Sequence, residues 1–143
     1  MPSPAVTRVQ ETIGRFVRAN LHCEWTQAES NNIENVIFLS LDEVSGKYNN
    51  SRFTVLGLEF NASSELAVDI GFDSMPPGPL GLIHSITPDA TSGYLDFAKY
   101  PSGGIPDPNR ESPGNVVVTT RNALPGSELT ITLTAREKGT ARP

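Results

Sequence analysis

Two histidines, one cysteine and several acidic pairs are the side chains of this 143-residue chain that could do chemistry. A general base, a nucleophile or a metal centre needs such groups to converge. His22 and His84 fall in separate segments, and neither lies in a G-x-S-x-G, H-E-x-x-H or glycine-rich phosphate-binding pattern. A lone histidine on a strand is ordinarily a polar-face residue or a satisfied core group. Cys23 shares its side of the segment with Leu21 and Trp25, which reads as a core position where a thiol is inert. His22 is its neighbour in sequence, but adjacent strand residues point to opposite faces.

The acidic groups suggest calcium first. Asp69 and Asp73 leave the same face of one alternating segment, two pleats apart, too far to share an ion without a third group between them. Asp42-Glu43 closes another segment and could contribute across an interface. The simpler reading is solvated carboxylates on an acidic protein. Asn49-Asn50-Ser51 and Asn61-Ala62-Ser63 fit the glycosylation sequon and read as chance matches. Arg8, Arg15 and Arg18 are the candidates for contact with nucleic acid or a neighbouring subunit. A dedicated RNA reader would interleave aromatics with Lys and Arg on a sheet face, and only 11 Lys and Arg occur in the whole chain. No catalytic residue, cofactor site or metal site emerges, and the chain does not read as an enzyme.

Composition narrows the class further. The single cysteine excludes an intramolecular disulfide and a cysteine metal cluster. No apolar run approaches about 18 residues, so no membrane helix is expected. Met-Pro-Ser-Pro is not the charged start of a signal peptide, so the expectation is a soluble protein, intracellular at synthesis. Net charge is −5: residues 1–22 and 136–143 each carry +2, leaving −9 on 23–135. Basic ends on an acidic body suit an anionic partner or the acidic flank of another copy.

The elements that must position these residues are short and β-rich. Leu66, Val68, Ile70 and Phe72 alternate with Ala67, Asp69, Gly71 and Asp73, a period of two without exception. Before them, Thr54, Leu56, Leu58 and Phe60 oppose Phe53, Val55, Gly57 and Glu59. Both of those sides are partly apolar, which predicts a strand covered on both faces for part of its length. Asn61 to Ser64 is the turn between the two. Further strands are expected over about 15–26, 36–41, 80–86, 93–100, 116–120 and 129–136, with Leu129, Ile131, Leu133 and Ala135 opposite a threonine row. Loops are expected over 28–35, 45–51, 74–79 and 101–114. Residues 3–18 fit a helical spacing of Val6, Val9, Ile13, Phe16 and Val17, although Thr7, Thr12 and Gly14 are poor helix formers. The division expected is an N-terminal arm or short helix over 1–14, a β-sandwich over 15–137 and a frayed tail over 138–143.

About eight or nine short strands with no interior helix make an all-β antiparallel β-sandwich. Long proline-rich connections favour Greek-key or jelly-roll crossings over an up-and-down meander. The order of Val36–Leu41, Arg52–Phe60, Leu66–Asp73 and Leu129–Arg136 resembles the single jelly-roll coat proteins of small icosahedral positive-strand RNA viruses. The resemblance spans about residues 36–137 and rests on pattern and order. It implies an eight-stranded jelly roll of two facing four-stranded sheets. It also implies a capsid subunit that self-assembles with copies of itself into a shell enclosing viral RNA, found in the virion and in host cytoplasm during assembly. It departs from many such coats in lacking a long basic arm and a paired-aspartate calcium motif. That looks more like coats that rely on polyamines or on protein contacts alone. The alternative is a β-sandwich binding module for carbohydrate or protein, with Tyr94, Tyr100 and Trp25 as platform candidates, although Trp25 reads as core.

Overall fold

A computed structural model describes residues 4–26, 31–43, 48–73, 82–100, 103–106 and 114–141. Among these residues ten strands run in chain order: β1 (Ala5–Ile13), β2 (Phe16–Glu24), β3 (Val36–Leu39), β4 (Tyr48–Ala62), β5 (Ala67–Phe72), β6 (Leu82–Ile86), β7 (Ser92–Asp96), β8 (Ile105–Pro106), β9 (Val116–Arg121) and β10 (Glu128–Ala141). The first sheet has the order β1-β2-β10-β4-β7, with the short β8 also pairing with β4, and the second has the order β3-β9-β5-β6. Every pairing is antiparallel.

The pairings nest. β2 pairs with β10, β3 with β9, β4 with β7 and β5 with β6. One long hairpin wound around a barrel axis has this connectivity, and it is the eight-stranded jelly roll. β1 and β8 are additions to it.

The core lies between the sheets. The alternation of β5 is obeyed: Leu66, Val68 and Ile70 are fully buried and Phe72 nearly so. They face Leu21 and Cys23 of β2 and Leu129, Ile131 and Leu133 of β10, members of the same buried cluster. Thr130, Thr132 and Thr134 of β10 point outward, as their alternation requires.

β4 is where alternation fails, and the register shows why. Thr134 faces Gly57, but the next residue of β10, Ala135, faces Val55, so Leu56 is an extra residue in β4. A bulge of this kind shifts the side-chain phase by one. Leu58 and Phe60 point inward on one side of it and Phe53 and Val55 on the other, all buried. The expected double cover is present at one point. Thr54 is 2% exposed, and a Cβ on Gly104 would come within 2.7 Å of its Cγ2. Gly104 has φ +141, so the chain closes over Thr54 only because no side chain is there.

Several boundaries differ from expectation. The N-terminal segment is neither helix nor free arm; it is β1, paired with β2 from Ala5↔Glu24 to Ile13↔Phe16. Gly14, with φ +61, opens the two-residue turn, the position a type II′ hairpin reserves for glycine. Residues 48–51 are strand, and β10 extends to Ala141, because these two polar stretches pair with each other (Thr140↔Asn49, Ala141↔Tyr48). Backbone pairing makes them strands without any apolar pattern. The strand expected over 93–100 stops at Asp96, whose carboxylate accepts from Ala98 N (3.1 Å) and caps a 3-10 turn over Phe97–Lys99. The loop expected over 74–79 lies outside the described residues, as does most of 101–114.

Val68→Asp should abolish folding or cost at least about 3 kcal/mol, because the carboxylate would be buried without a partner. Urea unfolding followed by fluorescence of Trp25 measures it.

Candidate functional site

The outward residues of the first sheet line up in cross-strand rows. One row holds Val9, Asn20, Thr132, Glu59 and Tyr94, and the next holds Glu11, Arg18, Thr134, Gly57 and Asp96. Thr132 Oγ1 donates to Asn20 Oδ1 (2.6 Å). His22 Nδ1 is 2.8 Å from Thr130 Oγ1, and its Nε2 is 2.9 Å from Glu24 Oε1. Tyr94 is 66% exposed, with its hydroxyl lying over Gly57, 3.2 Å from where a Cβ would stand. This face offers hydroxyls, amides and carboxylates beside one aromatic ring.

Among the described residues, His22, His84 and Cys23 do not converge. His22 is on this outer face. His84 pairs with the inward-pointing Ile70, and its ring centroid is 5.1 Å from that of Phe60. Its half-buried setting holds its pKa below the usual value. Cys23 is fully buried, and burial pushes its thiol up to about 11. Asp69 Oδ1 accepts from Ser85 Oγ (2.7 Å), and its two oxygens accept from Arg121 (2.5 and 3.3 Å). That carboxylate knits β6, β5 and β9 together on the outside of the second sheet. Among the described residues no three His, Cys, Asp or Glu side chains gather to hold a metal. Also among them, no helix is long and apolar enough to cross a membrane.

The three candidate arginines are separated. Arg8 faces the second sheet, where its guanidinium donates to Gln10 Oε1 (2.8 Å) and pairs with Glu43. Arg15 sits in the β1–β2 turn, its carbonyl accepting from Glu137 N (2.7 Å). Arg18 lies on the outer face, between Glu11 and Thr134. Trp25 is buried, and its indole N–H donates to Asn31 O (2.6 Å). Tyr100 is exposed and meets Phe97 edge-on, with centroids 5.6 Å apart. Asn61 faces outward on β4, while the side chains of Asp42 and of the sequon at 49–51 lie outside the described residues.

Two features escaped sequence reasoning. Gln10 clamps the chain after β3: Ser40 N donates to its Oε1 (2.8 Å) and its Nε2 donates to Ser40 O (2.9 Å). Glu137 is 1% exposed on the core side of β10, and its Oε1 has no hydrogen-bond partner. Continuing the alternation of Leu129, Ile131, Leu133 and Ala135 by one step would have placed it there. No family model matches the chain, and no curated protein or solved structure is significantly similar to it.

Cys23 should resist thiol reagents in the folded protein near pH 8 and react on unfolding. The thiol of the unfolded chain titrates near its ordinary value of 9.0, below the folded value of about 11. Its contribution to stability is therefore full below pH 9 and lost as pH rises towards 11. Labelling with a chromogenic disulfide, and urea midpoints across that range with Cys23→Ala as control, check both.

Proposed function

We propose that the protein is a structural subunit that assembles with copies of itself into a closed shell, the coat of a small RNA virus. The jelly roll is shared by viral capsid, lectin and cupin domains, so the fold alone does not choose among them. The observation that carries the reading is where the exposed large hydrophobic residues lie. Val9 is on the β1 edge and Tyr94 on the β7 edge of the first sheet, and Ile37 on β3 and Leu82 on β6 edge the second. Ile13 and Phe16 sit at one end of the sandwich and Leu124 at the other. An enzyme or a single-ligand receptor collects such groups in one cleft. A subunit with neighbours on several sides needs apolar groups on each of those sides.

Protein contacts, rather than a basic arm, hold the shell together in this reading. Arg8 is engaged by Glu43 and Arg18 faces Glu11. Neutralising a packaged genome at a subunit charge of −5 falls to polyamines or other cations. Virion and host cytoplasm are the locations that follow.

A second reading has one specific support. Tyr94 stands in one row with Glu59, Thr132 and Asn20, an aromatic ring with hydrogen-bonding neighbours that could seat a sugar. Sedimentation velocity and negative-stain microscopy across salt and pH separate the two. The shell reading expects particles of many subunits in at least one condition. A strict monomer throughout, with glycan binding lost in Tyr94→Ala, would support the sugar reading instead.

A further inference from the structure

We infer that β1 is a self-docking edge, on which a second copy of this chain pairs antiparallel about a two-fold axis centred on Val9. The choice of partner rests on the self-assembly reading; the contact itself needs no shell.

The edges of the two sheets are not alike. β3 has four residues and a register shift against β9, and β6 has five residues and a shift against β5. β7 has five residues and is ended by the Asp96 cap. β1 is nine residues long, and its register with β2 is unbroken. Among the described residues no strand pairs with its other side. Proteins ordinarily shield such an edge with proline, lysine, a bulge or a covering segment. Residues 5–13 contain neither proline nor lysine, and no bulge interrupts them. The strand is also held in place from within, through Gln10 on Ser40 and Arg8 on Glu43. A pre-ordered edge loses little entropy on pairing.

The sequence of β1 is complementary to itself. Residues directly opposite in an antiparallel pair share a face. A two-fold at Val9 sets Val9 against Val9, Thr7 against Glu11 and Ala5 against Ile13 on the outer face. On the inner face it sets Arg8 against Gln10 and Val6 against Thr12. Arg8 and Glu11 are the only charges in the strand, so no like charges meet, and a neutral edge on an acidic chain is where two copies repel least. Val9 is 50% exposed and Ile13 75% exposed, apolar surface that the pairing would cover.

Charge exchange at the axis tests this. Val9→Lys and Val9→Glu each place like charges opposite one another, so each alone should weaken self-association about tenfold or more. An equimolar mixture should restore it, since Lys then faces Glu. Sedimentation velocity reads association, and circular dichroism confirms that both variants fold. As a second measure, Val9→Cys should form a disulfide-linked dimer under mild oxidation, because facing Cα atoms about 4.5–5.5 Å apart suit a disulfide. Thr7→Cys should not, its two copies standing about 13 Å apart. A mixture no better than its parts, or variants that associate like the parent, overturns the inference. Particles formed equally by both variants overturn it while leaving the shell reading intact. A dimer that obeys the exchange but never grows supports it and counts against the shell. A parent chain that is monomeric at every concentration overturns both, whether or not a different protein binds β1.

Discussion

The pairing of β4 with β10 places the two longest strands, 15 and 14 residues, side by side in the middle of the first sheet. Everything outward of it is attached to one or the other: β2 and β1 beyond β10, β7 and β8 beyond β4. The bulge at Leu56 is what lets this pair serve a curved sandwich. Without it, either Phe53 and Val55 or Leu58 and Phe60 would point to solvent, at a cost of about 1.5–3 kcal/mol for each side chain. With it, β10 keeps one inward phase from Leu129 to Glu137 while β4 changes phase to follow.

The same constraint explains what could be read from the residues and what could not. β5 and most of β10 obey a strict period of two and meet one partner sheet, so their faces were legible. β4 was read as doubly apolar because a bulge leaves no mark in composition. The hairpin β1–β2 was the largest miss. Val6, Val9, Ile13 and Phe16 mimic a helical stripe, yet Thr7, Thr12 and Gly14 already argued against a helix. Gly14-Arg15, flanked by Ile13 and Phe16, was the available turn signal. The polar ends, 48–51 and 138–141, are strands by mutual backbone pairing, which no side-chain pattern announces.

Of the candidate residues, Cys23 and Trp25 were legible as core because they continue the alternation of Val17, Ala19 and Leu21. The separation of Arg8, Arg15 and Arg18 was not, since it depends on β1 being a strand. Arg8 then turns to the second sheet while Arg18 stays on the outer face. Strand structure also parts His22 from Cys23 and leaves the polar groups of the first sheet spread along rows. Among the described residues, these groups stand along the strand rows and edges of the first sheet.

A self-docking β1 edge beside a firmly paired β4–β10 centre, as inferred above, has a signature that depends on concentration. Amide hydrogen exchange across a concentration series tests it most directly. The β4 and β10 amides, from Val55 to Phe60 and from Ile131 to Ala135, should exchange slowest at every concentration. The β1 amides between Ala5 and Ile13 should gain protection as concentration rises. Early exchange in the β4–β10 pair, or β1 protection that ignores concentration, would contradict it.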